Sequence, residues 1–277
     1  MTENPARHGH TFIDTAAMPW EGNGDSVRKL LRNDPVAQRT VILRYFPPGD
    51  ASVPHRWYHR TVRETFLFLW GSYPGWEFAA PDDTQGRVEP YGAGAFMDRP
   101  PYSLHGRRPA ASAVGSEFLQ WHSHGGNFDA DADESLALPF GSDAPPGVTF
   151  RGPVIVQTDA LPWQPHPALP GALIRTVSAH EDGAPVGHYP IVQVSLPRGW
   201  TPPADMRIVA LGGRPWLFVL WGGIDLIAGG VTYGARRGGY LDWQAPGAVA
   251  LAPTLVAAEG CTVLCVGHTL SPVLALT

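Results

Sequence analysis

The sequence predicts an all-β chain made of two similar halves, and three observations carry that prediction. Its 32 glycines and 29 prolines follow no G-x-y period and fall between apolar runs of five to eight residues, the pattern of short strands joined by tight turns. Of the 277 residues 44 % are hydrophobic, enough to bury a large core. The third is repetition. "TFIDTAAMPW" at 11–20 returns as "VIVQTDALPW" at 154–163, and "RETFLFLWG" at 63–71 returns as "RPWLFVLWG" at 214–222. "RTVILRYFPPGD" (39–50), "GAFMD" (94–98) and "EFLQWHSHG" (117–125) have counterparts in "YPIVQVSLPRGW" (189–200), "GGYLD" (238–242) and "TVLCVGHTL" (262–270), in the same order.

The halves are residues 1–128 and 153–277, joined by an acidic and then Pro/Gly-rich stretch, 129–152, that suits a surface linker. Strands are expected at 40–46, 65–70, 94–98 and 117–122, and again at 190–196, 216–221, 224–228, 248–252 and 262–267. Residues 26–34, "SVRKLLRND", make the one weak claim to a helical turn. Cys261 and Cys265 would lie ~13 Å apart along a strand, too far for a disulfide. They are expected as buried thiols.

Charge excludes several function classes. The net charge is −5, with 16 % charged residues and no basic cluster larger than Arg107–Arg108 or Arg236–Arg237, so a nucleic-acid partner is not expected. The opening "MTENPARHGHTF" lacks an apolar core, and no apolar stretch reaches ~18 residues, so neither a signal peptide nor a membrane span is indicated and a cytoplasmic location is expected. The partners expected are a small-molecule substrate and, in assembly, a homodimer. Asp129, Asp131 and Asp133 begin a calcium-loop spacing but have no central glycine and no closing glutamate.

Chemistry concentrates in "PHRWYHRTVRETFLFLWG", 54–71. Imidazole and carboxylate donors suit iron(II), manganese, zinc, nickel or copper, and a site with three or four such ligands leaves positions for substrate. Gly49-x5-His55, His59-x4-Glu64-x6-Gly71 and "RPPYSLHG" (99–106), which contains His105, resemble the two motifs of the cupin superfamily. The family pattern has His-x-His where Trp57 stands two before His59, and a glycine where Tyr102 stands. Together with the duplication, the chain looks like a bicupin of two double-stranded β-helix (jelly-roll) barrels. "FIDTAAMPWEG" is similar to the opening of ChrR-like cupins.

The resemblance implies a divalent metal, iron(II) favoured with zinc, manganese or nickel as alternatives, held by His55, His59, Glu64 and His105. A regular strand would hold His55 and His59 ~13 Å apart, so either the chain bulges between them or His55 is not a ligand. His59 and Glu64 are expected on adjacent strands of a hairpin. If Glu64 points inward, strand parity sends Phe66, Phe68 and Trp70 inward with it, and with Trp57 and Arg99 they would line a pocket. Tyr58, Tyr102 and His122 are candidate acid/base groups, and His124 completes an H-x-H with His122. The second half has Pro215 in place of Glu64 and no equivalent histidines, so it reads as structural, with His166, His180, His188 and His268 as non-ligands.

Three functions stay open: an iron(II) dioxygenase acting on a small aromatic or dicarbonyl-like substrate, a non-redox isomerase, cyclase or lyase using the same ligands, and a non-catalytic binding or sensor bicupin.

Overall fold

The computed structural model describes residues 10–23, 26–34, 39–49, 54–107, 112–123, 135–178, 190–201, 215–228, 231–243 and 259–267. Along the chain run β1 (His10–Asp14), β2 (Glu21–Asn23), β3 (Ser26–Asp34), β4 (Arg39–Phe46), β5 (His55–His59), β6 (Arg63–Glu77), β7 (Arg87–Gly92), β8 (Ala95–Arg99), β9 (His105–Arg107) and β10 (Ser116–Ser123). There follow β11 (Ser135–Ala137), β12 (Val154–Gln157), β13 (Gln164–Pro165), β14 (Leu173–Ser178), β15 (Ile191–Leu196), β16 (Trp216–Ala228), β17 (Val231–Arg236), β18 (Gly239–Trp243) and β19 (Cys261–Val266). Among the described residues the helical elements are two 3-10 turns, Thr15–Ala17 and Thr158–Ala160, which occupy the same place in the two repeats. Among the described residues no helix is long and apolar enough to cross a membrane.

The chain divides into two compact units, Pro19–Asp159 and Met1–Met18 with Ala160–Thr277. The first unit holds an 11-stranded sheet ordered β11-β5-β9-β6-β10-β4-β3-β2, with β7 and β8 pairing β6 and β12 pairing β8. The second holds an 8-stranded sheet ordered β1-β18-β16-β19-β15-β14-β13, with β17 on β16. The repeated opening segments are thus exchanged between halves: "TFID" pairs with "GGYLD", Asp14 opposite Gly239, while "VIVQ" pairs with "GAFMD", Val154 opposite Asp98.

Residues 26–34 form a strand, not a helical turn. Pairing with β4 on one side and β2 on the other satisfies the backbone, and Leu31 is buried, so tertiary pairing overrides a weak local preference. The expected strand 248–252 lies outside the described residues, as do His124, His180, His188, His268 and the three aspartates of the calcium-like spacing.

In both halves the Leu-Trp-Gly signature is a β-bulge. Register shifts beside Leu69, between the Phe68–Phe118 and Trp70–Glu117 pairs, and beside Leu220, between the Val219–Val263 and Trp221–Thr262 pairs. Each extra residue flips the parity of the tryptophan after it. Gly71 and Gly222 follow at φ +77° and +72°, and a Cβ on either would collide with the carbonyl oxygen of Gly115 or Gly260. Only glycine fits there.

The core of the first unit stacks Phe46, Phe66, Phe68, Tyr91, Met97 and Phe118. Cys261 and Cys265 are free thiols in the core of the second unit, and burial pushes Cys261 up to about 12. Part of the joining stretch is docked on the first unit. β11 pairs with β5, and Arg56, 2 % exposed, donates to the carbonyls of Leu138, Pro139, Pro81 and Asp83 at 2.7–3.1 Å. That clamp fixes β5, the strand that ends at His59.

Candidate metal centre

Five strands of the first unit aim polar side chains at one place. Glu64 begins the inward face of β6, opposite His122 on β10 and opposite Arg99 on β8. His105 on β9 lies across from Trp57 on β5 and from Glu77 at the far end of β6. Residues directly opposite in an antiparallel pair share a face, so the ladder itself gathers these groups.

His59, Glu64 and His105 each offer a ligand atom within 4.8 Å of the others. Glu64 Oε2 is 3.3 Å from His105 Nε2, 3.6 Å from His59 Nε2 and 3.7 Å from Arg99 Nη1, and this buried oxygen takes no hydrogen bond. His105 Nδ1 lies 2.9 Å from the carbonyl of Ser103, which fixes the proton on Nδ1 and turns the Nε2 lone pair toward Glu64. Two lone-pair donors facing each other in a dry site suit a cation between them, and the set is a 2-His-1-carboxylate group. The residues fit a divalent metal.

The electrostatics agree. Burial alone would raise Glu64, but His59, His105 and His122 outweigh it and hold the carboxyl well below its ordinary range. Burial, with Arg99 for His105 and with His59 and Arg44 for His122, holds both imidazoles below theirs, so they are neutral donors near pH 7. Arg99 is engaged by Glu77, which also accepts from Tyr91 Oη at 3.1 Å; despite burial, Glu77 and Glu64 keep the guanidinium charged. One positive charge thus faces two carboxylates, and a cation beside Glu64 would balance the remainder.

His55 does not join the group. β5 is continuous, His55 opposite Arg107 and Trp57 opposite His105 with no register shift, so there is no bulge to bring His55 to His59. It is exposed and stacks on Trp57 at 4.6 Å. His59 and Glu64 also do not face each other across a hairpin, because β9 lies between β5 and β6.

The other expected site residues divide cleanly. Trp57 is half-buried and meets His105 edge-on at 4.8 Å, at the solvent side of the group. Phe66 and Phe68 point inward but belong to the packed core, and Trp70, turned out by the bulge at Leu69, is 47 % exposed. Arg99 is 5 % exposed, held behind Glu64 and over Phe66 instead of lining an open pocket. Tyr58 lies on the opposite face of β5 from His59 and packs with Tyr102 and Phe150. Tyr102 takes the glycine position of the second motif at φ +64°, and its ring stacks on Tyr58, so neither tyrosine reaches the group.

His122 does reach it, 3.4 Å from Glu64 Oε1. Gln120, which sequence reasoning missed, lies beside it: its Nε2 is 3.2 Å from Glu64 Oε1 and 3.1 Å from His122 Nε2. The signal was a polar residue two before His122, on the same strand face, inside an apolar run. Glu77 was missed as well. His166, in the second unit, accepts from the amide of Ala168.

No family model and no curated protein matches the sequence. Solved structures do match in fold. A putative glyoxylate-induced protein from Pseudomonas aeruginosa aligns with TM-score 0.63 at 11 % identity, covering 100 % of this chain and 94 % of that one. Protein Ylba from E. coli aligns with TM-score 0.60 at 10 % identity over 95 % and 92 %. A single-substitution variant of Bacillus subtilis oxalate decarboxylase aligns with TM-score 0.55 at 14 % identity over 95 % and 78 %. With its two antiparallel jelly-roll units and these likenesses, the chain has a bicupin fold.

Proposed function

We propose that the first unit is a metal-dependent enzyme whose ion is held by His59, Glu64 and His105. The observation that carries this reading is the buried Oε2 of Glu64, without a hydrogen bond and faced by two imidazole nitrogens at 3.3 and 3.6 Å. Iron(II) is favoured, because two histidines and one carboxylate are the ligand set of non-haem iron oxygenases, and the ion would supply dioxygen chemistry. Zinc, manganese or nickel would serve the same donors.

The chain's own residues set the substrate's size and approach. The group meets solvent on the β5 side, where the His59 side chain is 14 % exposed, Trp57 is half-buried and His55 is exposed. Beneath Glu64 the barrel is filled by Phe66, Phe68 and Phe118, so a substrate binds at the mouth and is small. A molecule with two adjacent oxygens, aromatic or dicarbonyl-like, suits that place. One similar fold belongs to an oxalate decarboxylase, which supports a small oxygen-rich substrate.

A non-redox isomerase, cyclase or lyase is the second reading, supported by His122, a buried neutral imidazole beside the carboxylate and able to carry a proton. Elemental analysis of protein purified without added metal, followed by oxygen-electrode assays with catechols, hydroxyketones and diketones, separates the two. Stoichiometric iron with oxygen uptake supports the oxygenase, and zinc or manganese without uptake supports the second reading. Bound metal without turnover of any substrate supports a binding or sensor protein. Failure to bind any of the four metals overturns the proposal.

A further inference from the structure

We infer that Gln120 is a positioning residue that makes Glu64 a ligand through one oxygen, with His122 as the second acceptor that holds the Gln120 carboxamide; this rests on the metal-centre reading above. The two oxygens of Glu64 have different surroundings. Oε2 faces His59 and His105 and takes no hydrogen bond. Oε1 faces β10, with Gln120 Nε2 at 3.2 Å and His122 Nε2 at 3.4 Å.

A carboxamide nitrogen carries two hydrogens, and Gln120 has two acceptors for them, Glu64 Oε1 and, at 3.1 Å, His122 Nε2. This assignment places the His122 proton on Nδ1 and leaves neither hydrogen of the carboxamide unused. Gln120 and His122 are 3 % and 5 % exposed, so water does not compete for these bonds. β10 holds them in place because Gln120 lies opposite Phe66 and His122 opposite Glu64 in the β6–β10 ladder. The carboxylate is therefore tied down at its outer oxygen while its inner oxygen is presented to the two imidazoles. Supporting residues of this kind typically change metal affinity by about 10–100-fold.

The test uses cobalt(II) and the full-length protein, reading affinity by chelator competition and coordination by the visible absorption of the bound ion. Wild type is expected to bind one ion. Gln120→Leu is expected to weaken binding about 10–100-fold and to move the cobalt absorption bands, because the freed carboxylate can turn both oxygens to the metal. Gln120→Ser, which leaves room for water, is a second variant should the leucine protein fail to fold, with the same shift expected. Loss of stability alone would not move the bands. Wild-type affinity and an unchanged spectrum in either folded variant overturns the inference and leaves the metal centre standing. Absence of cobalt binding by wild type overturns both.

Discussion

Trp57 stands directly across the β5–β9 ladder from His105, ring to ring at 4.8 Å, where the cupin pattern places an imidazole. Replacing it with histidine puts a third imidazole on the face shared by His59 and His105. Trp57→His is expected to tighten zinc or cobalt binding by about tenfold or more, as one added ligand bond would. It is also expected to lower apo stability by about 2 kcal/mol through lost packing on His55. Calorimetric titration and urea denaturation read the two effects separately, and unchanged affinity would show that position 57 does not face the ion.

His59→Ala and His105→Ala are each expected to abolish stoichiometric metal binding, because two remaining donors seldom hold a divalent ion. His55→Ala is expected to retain it, since His55 lies outside the group. Equal losses from all three would reject the ligand assignment.

Acid should destabilise the metal-free protein from an unusually high pH. His105 and His122 have folded-state values below that of an unfolded imidazole, and Glu64 below that of an unfolded carboxylate. The unfolded chain therefore binds protons first. Stability is complete above about pH 6.5, falls as acid charges the unfolded histidines, and falls again below about pH 4.3 as Glu64 loses its advantage. Urea midpoints measured between pH 8 and 4 check this sign; a midpoint that rises from pH 7 to 5.5 contradicts it.

Tyr102 holds a left-handed backbone, φ +64°, that a residue with a Cβ enters at a cost. Comparing Tyr102→Gly with Tyr102→Ala removes the ring in both and isolates the backbone term. The glycine variant is expected to be the more stable by about 1 kcal/mol. Equal midpoints would remove the strain from the account.

Gly71→Ala and Gly222→Ala should act alike in the two units. Each places a Cβ against the carbonyl of Gly115 or Gly260 at a positive φ, and each is expected to cost at least about 2 kcal/mol in chemical denaturation. Neutral behaviour at either position would show that the bulge can open.

Much of this was legible in the chain. Turn glycines between apolar runs gave the all-β class, and the repeated segments gave the duplicated barrel, because pseudo-equivalent residues meet the same backbone constraints. That His59, Glu64 and His105 come together was legible from their motif spacing. Trp70 was misplaced because parity counting assumes an unbroken strand, and the bulge at Leu69 adds one residue. Tyr58 was misplaced for the complementary reason: β5 is regular, so a residue next to a ligand faces away from it. Gln120 and Glu77 carry no motif, and what selects them is the pairing partner each strand finds.

The exchange of β1 and β12 has a kinetic meaning. β1 is the first described strand to leave the ribosome, yet its partner, β18, emerges only after the whole first unit has been made. The unit Pro19–Asp159 is continuous and able to close while synthesis proceeds, whereas the other spans both ends of the chain and must wait. Closing so distant a pair is slow, and until then the ladder edge of β1 stays open to wrong partners. The continuous unit is the one that carries His59, Glu64 and His105, so these candidate ligands can come together before the discontinuous unit has all its strands.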